Sequence, residues 1–220
     1  MQDLIKQEQF ELEVLDKLNS KKLLNSLVFG GGTMLRLCFG LNRFSVDLDF
    51  WIVKEIDNNI LFKDLKNYLG IFYYLKDSAN KYNTLLYELK SRSYPRSLKI
   101  EIRKETKKIK TEQVIAYSKY SNQQVFLRVV SLGDMMEAKS NAFLERKEIR
   151  DIFDMEFLFK KGIPLDFSAK TLREILDGID ALTKKDYTVK LGSLLEAEQR
   201  KYYVTENFKI LKLAIQEKLR

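Results

Sequence analysis

Residues 29–52, FGGGTMLRLCFGLNRFSVDLDFWI, decide how this chain reads. Gly30, Gly31 and Gly32 run into Thr33, a short apolar turn follows, and Asp47 and Asp49 then flank Leu48 in an otherwise apolar run. Charged groups rarely sit in such a run without a partner. VFGGG reads as a short strand entering a glycine turn. Thr33 is expected to cap a short helix, TMLRLCFGL, with Gly40 and Asn42 suited to its end. VDLDFWIV reads as a strand, whose period of two puts Asp47 and Asp49 on one face and Leu48 and Phe50 on the other.

Each half of this stretch has a plain explanation and a chemical one. Glycines let backbone N–H groups approach a phosphate, and a helix starting at the turn points its positive end the same way, yet most glycine clusters are only turns. Two aspartates at i, i+2 on a strand present oxygens to one point, as Mg²⁺ requires, yet alternating polar residues also mark an ordinary solvent-facing strand. A third acid would separate the two readings. In LKIEIRK, Glu101 shares a face with Lys99 and Arg103. It completes a three-carboxylate set if its strand neighbours residues 46–53, and otherwise pairs with its own neighbours.

Outward from this core, apolar residues at Leu4, Ile5, Leu12, Leu15, Leu18 and Leu23 predict a helix over 3–24. A helix is expected over 58–76 and a loop over 78–82. TLLYELKS and LKIEIRKE read as strands joined antiparallel around Tyr94-Pro95, and QVIAY and QVFLRVV as two more. From Ser131 the periodicity turns helical: SLGDMMEAKSNAFLERK, EIRDIFDMEFLFKK ending at Gly162-Ile163-Pro164, then 168–181 and roughly 185–217. The expected architecture is α/β (α+β), a mixed-sheet domain over 1–130 followed by a helical domain over 131–220.

Composition narrows the chemistry. The 220 residues include one cysteine, Cys38, and no histidine, which excludes a disulfide framework, a Cys/His zinc site and His-dependent triads. Any metal must be held by oxygen ligands. No apolar stretch approaches a membrane span, and the start, MQDLIKQEQF, lacks a signal-peptide core, so no membrane association is expected and the cytoplasm is the default compartment. The net charge of +8 is uneven: residues 90–128 carry 11 basic and 3 acidic groups, whereas 131–220 carry 17 and 16. Such a band attracts phosphate-rich ligands, and a solvated lysine-rich surface explains it equally well.

The glycine turn, the aspartate pair and the later acid together resemble the nucleotidyltransferase superfamily that includes DNA polymerase β. More narrowly, GGTMLRLCFGLNRFSVDLDF resembles the AbiEii/AbiGii-type toxins of bacterial abortive-infection and toxin–antitoxin systems, through Gly31, Gly32, Thr33, Leu35, Leu37, Gly40, Arg43, Ser45, Asp47 and Asp49 in register. A later motif of that family is matched by Lys139, Ala142, Arg146, Arg150, Asp151 and Asp154. Lys139, Arg146 and Arg150 fall at i, i+7, i+11 on a single cationic face, which from the residues alone reads as a ladder of surface salt bridges, such as Arg150 with Asp154, and only through the resemblance as a ligand face. The resemblance reaches from the N-terminal helix to about residue 162, with much of 55–95 and the last ~55 residues unmatched.

The resemblance implies a polymerase β-like core and an enzyme: transfer of a nucleotide from a nucleoside triphosphate to an acceptor, with Mg²⁺ or Mn²⁺ as cofactor. It implies Gly31, Gly32, Thr33 and Arg43 at the phosphates, with Arg36 as an alternative, and Asp47, Asp49 and Glu101 as metal ligands and catalytic acids. Lys139 would hold the triphosphate with Arg146 and Arg150, and Asp154 would position it. RNA, particularly tRNA ends, is the implied acceptor, and a cognate antitoxin the implied protein partner. A catalytically weak relative that binds nucleotide or a partner protein is the other reading, and an antibiotic-modifying transferase, whose acceptor pocket should be acidic, a third.

Overall fold

The computed structural model describes residues 1–105 and 108–220; Lys107, counted in the basic band, lies outside them. Two compact units form, Met1–Ser131 and Leu132–Arg220.

The first unit is built on a seven-stranded mixed sheet. Its strands are β1 (Leu27–Gly30), β2 (Asp47–Ile52), β3 (Tyr74–Asn80), β4 (Thr84–Lys90), β5 (Leu98–Arg103), β6 (Thr111–Tyr117) and β7 (Gln124–Val130), in the order β3-β4-β5-β2-β1-β7-β6. β2 runs parallel to β5 and β1 to β7, and the remaining pairs are antiparallel. Three helices accompany it: α1 (Gln2–Ser20), α2 (Gly31–Phe39) and α3 (Asn58–Phe72). Alternation explains β2, β4 and β5: Leu48, Phe50, Leu85, Tyr87, Leu89, Ile100 and Ile102 are buried while the residues between them are not.

Three local expectations change. Thr33 is not a helix cap: α2 already begins at Gly31 behind an extended Gly30, because the glycines themselves make the turn. α2 does end at Gly40, in the left-handed region with φ 80°. The helix expected to 76 stops at Phe72, and the loop expected over 78–82 is largely strand β3. β3 is an edge strand that needs a partner only in β4, so its polar sequence, YLKDSAN, carries little apolar alternation.

The second unit is helical: α4 (Leu132–Arg146), α5 (Ile149–Lys160), α6 (Ala169–Asp180), α7 (Ala197–Glu206) and α8 (Lys209–Lys218). The single helix expected over 185–217 is broken into a wide turn at Asp186–Leu191, a tight one at Gly192–Leu194, and the pair α7 and α8. Asn207 and Phe208 take left-handed backbone, and the turn buries the Phe208 ring 5.2 Å from Tyr203 and 5.7 Å from Tyr187. Among the described residues, no helix is long and apolar enough to cross a membrane.

Candidate active site

The sheet register gathers the features that stand out in the sequence. Gly30 on β1 lies opposite Asp49 on β2, and Asp49 lies beside Glu101 on β5. One row across three strands thus runs from the glycine turn to the third acid, with neighbouring strands about 4.8 Å apart. Because β2 and β5 are parallel and adjacent, register partners point to the same side of the sheet. Asp47, Asp49 and Trp51 therefore share a face with Lys99, Glu101 and Arg103. Glu101 is exposed and the two aspartates are half-buried. Among the described residues, however, no three carboxylate or thiol side chains are gathered as a ready-made metal cluster.

The glycines fit this row closely. A Cβ on Gly31 would stand 2.2 Å from Asp49 Oδ2, and its φ of +76° already favours glycine. On Gly32 it would meet Arg43 Nη2 at 2.5 Å and Ser45 Oγ at 2.9 Å, and on Gly30 it would enter the Trp51 ring. The N-terminus of α2 is thereby pressed against the Asp49 carboxylate, Arg43 and Ser45. Arg43 is buried and its Nη1 donates to the Phe44 carbonyl at 2.9 Å. Thr33 is fully buried, and its hydroxyl donates to the Asp47 carbonyl at 2.6 Å, tying α2 to the first residue of β2. Arg36 bonds Glu8 through Nε and the Leu41 carbonyl through Nη1 at 3.2 Å, and stacks 3.8 Å from the Phe44 ring centroid. These contacts make it a structural brace.

Helix α1 brings a set of polar residues that the apolar pattern passes over: Gln7, Glu8 and Glu11 are buried on its inner side. Gln7 Nε2 donates to the Val46 carbonyl at 3.2 Å and the Ser97 carbonyl at 3.3 Å. Glu8 accepts from both Arg36 and Ser118. Glu11 has no exposed surface and no hydrogen-bond partner on either oxygen. Burial first, and then the nearby charge of Glu8, holds its carboxyl well above the ordinary value, against the opposing pull of Arg36. The one sequence signal for these three is their position among Leu4, Leu12, Leu15 and Leu18, where an amphipathic helix should be apolar.

In the second unit, the later motif forms a charge cluster. Lys139 is buried, with its Nζ 2.6 Å from Asp154 and 3.3 Å from Asp151. Arg146 holds Asp151 with a two-pronged contact at 2.7 and 2.8 Å. The single cationic face is corrected: Lys147, at φ 52°, breaks the chain between α4 and α5, so Lys139 and Arg146 stand on one helix and Arg150 on the next. Asp154 pairs with Lys139 across the two helices.

A family model described as "Nucleotidyl transferase AbiEii toxin, Type IV TA system" matches residues 13–211, which extends the likeness well past residue 162. No curated protein matches. Two solved structures share the fold. JHP933 from Helicobacter pylori is 22% identical, with 92% of this chain and 94% of that one covered, at a TM-score of 0.53. A second, described as "putative nucleotidyltransferase from H. pylori", is also 22% identical, covering 95% and 96% at a TM-score of 0.57. The chain belongs to the AbiEii nucleotidyltransferase toxin family of type IV toxin–antitoxin systems.

Proposed function

We propose that this AbiEii-family chain moves a nucleotide from a nucleoside triphosphate to an acceptor hydroxyl, in the cytoplasm, with RNA as the acceptor and a separate antitoxin as its protein partner. The observation that carries this reading is the row Gly30–Asp49–Glu101, which sets a glycine turn at a helix N-terminus beside three acids on one face of the sheet. Because Gly31 has no side chain, the backbone at the N-terminus of α2 lies close against Asp49 Oδ2, which suits a site where backbone N–H groups hold a phosphate and the carboxylate holds its cation. Asp47 and Asp49, with Glu101, would hold Mg²⁺ or Mn²⁺, which when bound neutralises phosphate charge and polarises the α-phosphate.

In the transfer, the acceptor oxygen forms a bond to the α-phosphorus while the bond to the bridging oxygen breaks, and pyrophosphate leaves with that electron pair. Glu101 takes the proton of the acceptor hydroxyl. The backbone N–H groups of Gly31 and Gly32 and the Arg43 guanidinium bind phosphate oxygens; Thr33 acts by fixing α2 to β2. For the cluster in the second unit we propose that Lys139, with Arg146 and Arg150, contributes to triphosphate binding and that Asp154 orients Lys139.

The test is incubation with each labelled nucleoside triphosphate and total cellular RNA. Label should move onto RNA in Mg²⁺ and not in chelator, and Asp47→Ala or Asp49→Ala should abolish it while circular dichroism stays unchanged. Transfer by the double variant would sink the metal-site reading. A blank with all four nucleotides favours the binding-only alternative.

A further inference from the structure

The parallel pair β2–β5 carries all three proposed metal ligands, yet its two strands are far apart in sequence. Residues 53–97, which include α3, β3 and β4, lie between them. The ladder registers from Asp47↔Lys99 onward, so the carbonyls of Val46 and Ser97 stand at or just outside its starting end. Gln7 reaches both of them. Its amide nitrogen has two hydrogens, and each goes to one strand, at 3.2 and 3.3 Å. The side chain is fully buried and its Oε1 has no partner. An acceptor left unsatisfied in a core is a cost that a simple packing residue, such as leucine, would not carry.

We propose that Gln7 is a positioning residue, a clamp across the starts of β2 and β5 that sets the spacing of Asp47 and Asp49 against Glu101. The inference rests on the metal-site reading given above. Its physical basis is that a parallel ladder is slightly less stable per residue than an antiparallel one. A side chain that bonds both strands at one end therefore has a clear mechanical task. Partners that orient metal ligands from outside the first layer commonly change affinity by about 10–100-fold when removed.

Two measurements on the full chain test it, with Mn²⁺ alone as the probe. In Gln7→Met, which keeps the bulk and removes both donors, the Mn²⁺ Kd from spin-resonance titration should rise about tenfold. Leu4→Ala, a buried position on the same helix whose side chain has no donor for either carbonyl, should lose stability without changing that Kd. Amide exchange should accelerate across residues 47–52 and 98–103 of Gln7→Met and stay at the wild-type level in β3–β4 and β6–β7. Gln7→Asn, one methylene shorter, replaces it if Gln7→Met does not fold. An unchanged Kd with unchanged exchange overturns the clamp. If the wild type takes up no Mn²⁺, the metal-site reading fails instead, and the clamp is decided by the exchange pattern alone.

Discussion

Gly31 and Gly40 have nearly the same backbone, φ +76° and +80°, in different surroundings. Around Gly40 a Cβ meets open space, whereas at Gly31 it meets the Asp49 carboxylate at 2.2 Å. Both alanine variants therefore lose about 1–2 kcal/mol to left-handed backbone. Gly31→Ala must also displace Asp49, so it alone should abolish transfer; melting curves measured beside transfer assays separate the two effects. Glu11 gives a second residue-scale prediction. Its folded carboxyl titrates above the ordinary value near 4.5, so over the interval between the two the unfolded chain binds fewer protons than the folded one. Stability then falls as pH rises from about 4.5 through that interval. Glu11→Gln removes this loss, and its amide brings donors to a helix face where Gln7 Oε1, one turn back, lacks one. The variant should melt higher than wild type at neutral pH, with the gain shrinking as pH is lowered toward 4.5. An equal gain at every pH would mean that ionisation is not the cause.

Among the elements, α4 and α5 are held by an ion cluster whose removal is predicted to cost more than its formation yields. Lys139→Met would leave Asp154 and Asp151 buried with one cation fewer, at a loss of about 3–5 kcal/mol, and Asp154→Asn added to it should restore part of that in denaturant unfolding. Loss of transfer in Lys139→Met is thus informative about triphosphate binding only where folding is verified. How much of each element the sequence disclosed follows its physics. β1, α2 and β2 were legible because a glycine turn and a strict period of two are local signals. The Asp49–Glu101 pairing was conditional, since a parallel neighbour across 45 or so intervening residues is a non-local contact that no window of sequence contains. β3 was missed because an edge strand tolerates polar residues on both faces. The breaks at Asp186–Leu191 and Asn207–Phe208 were missed because apolar spacing continues through them while the backbone does not. Gln7 was hidden because a polar residue on a helix looks solvent-facing until its partners elsewhere in the fold are known, and Glu11 because a carboxylate buried with no partner is the arrangement least expected of a charged residue.

At the scale of the whole molecule, charge is divided between the two units. Residues 1–130 hold 22 Lys/Arg against 15 Asp/Glu, while 131–220 hold 17 against 16. Residues 90–128, with 11 basic and 3 acidic groups, account for all of the first unit's excess, and within that band Arg92, Lys108 and Lys119 are exposed. A solvated surface and a polynucleotide track make different predictions about salt. Binding to single-stranded RNA releases counterions, so the logarithm of affinity should fall linearly with the logarithm of salt, by about 0.7 for each phosphate contacted. Replacing Arg92, Lys108 and Lys119 together with glutamine should weaken RNA binding similarly for all sequences and flatten that slope by about 2. These three side chains lie outside the Gly30–Asp49–Glu101 row, so nucleoside triphosphate binding should hold steady while RNA affinity drops. Filter binding from low to physiological salt, with wild type and triple variant side by side, reads this directly. An unchanged slope would assign the band to solvation and move the search for the acceptor's contacts elsewhere on the chain.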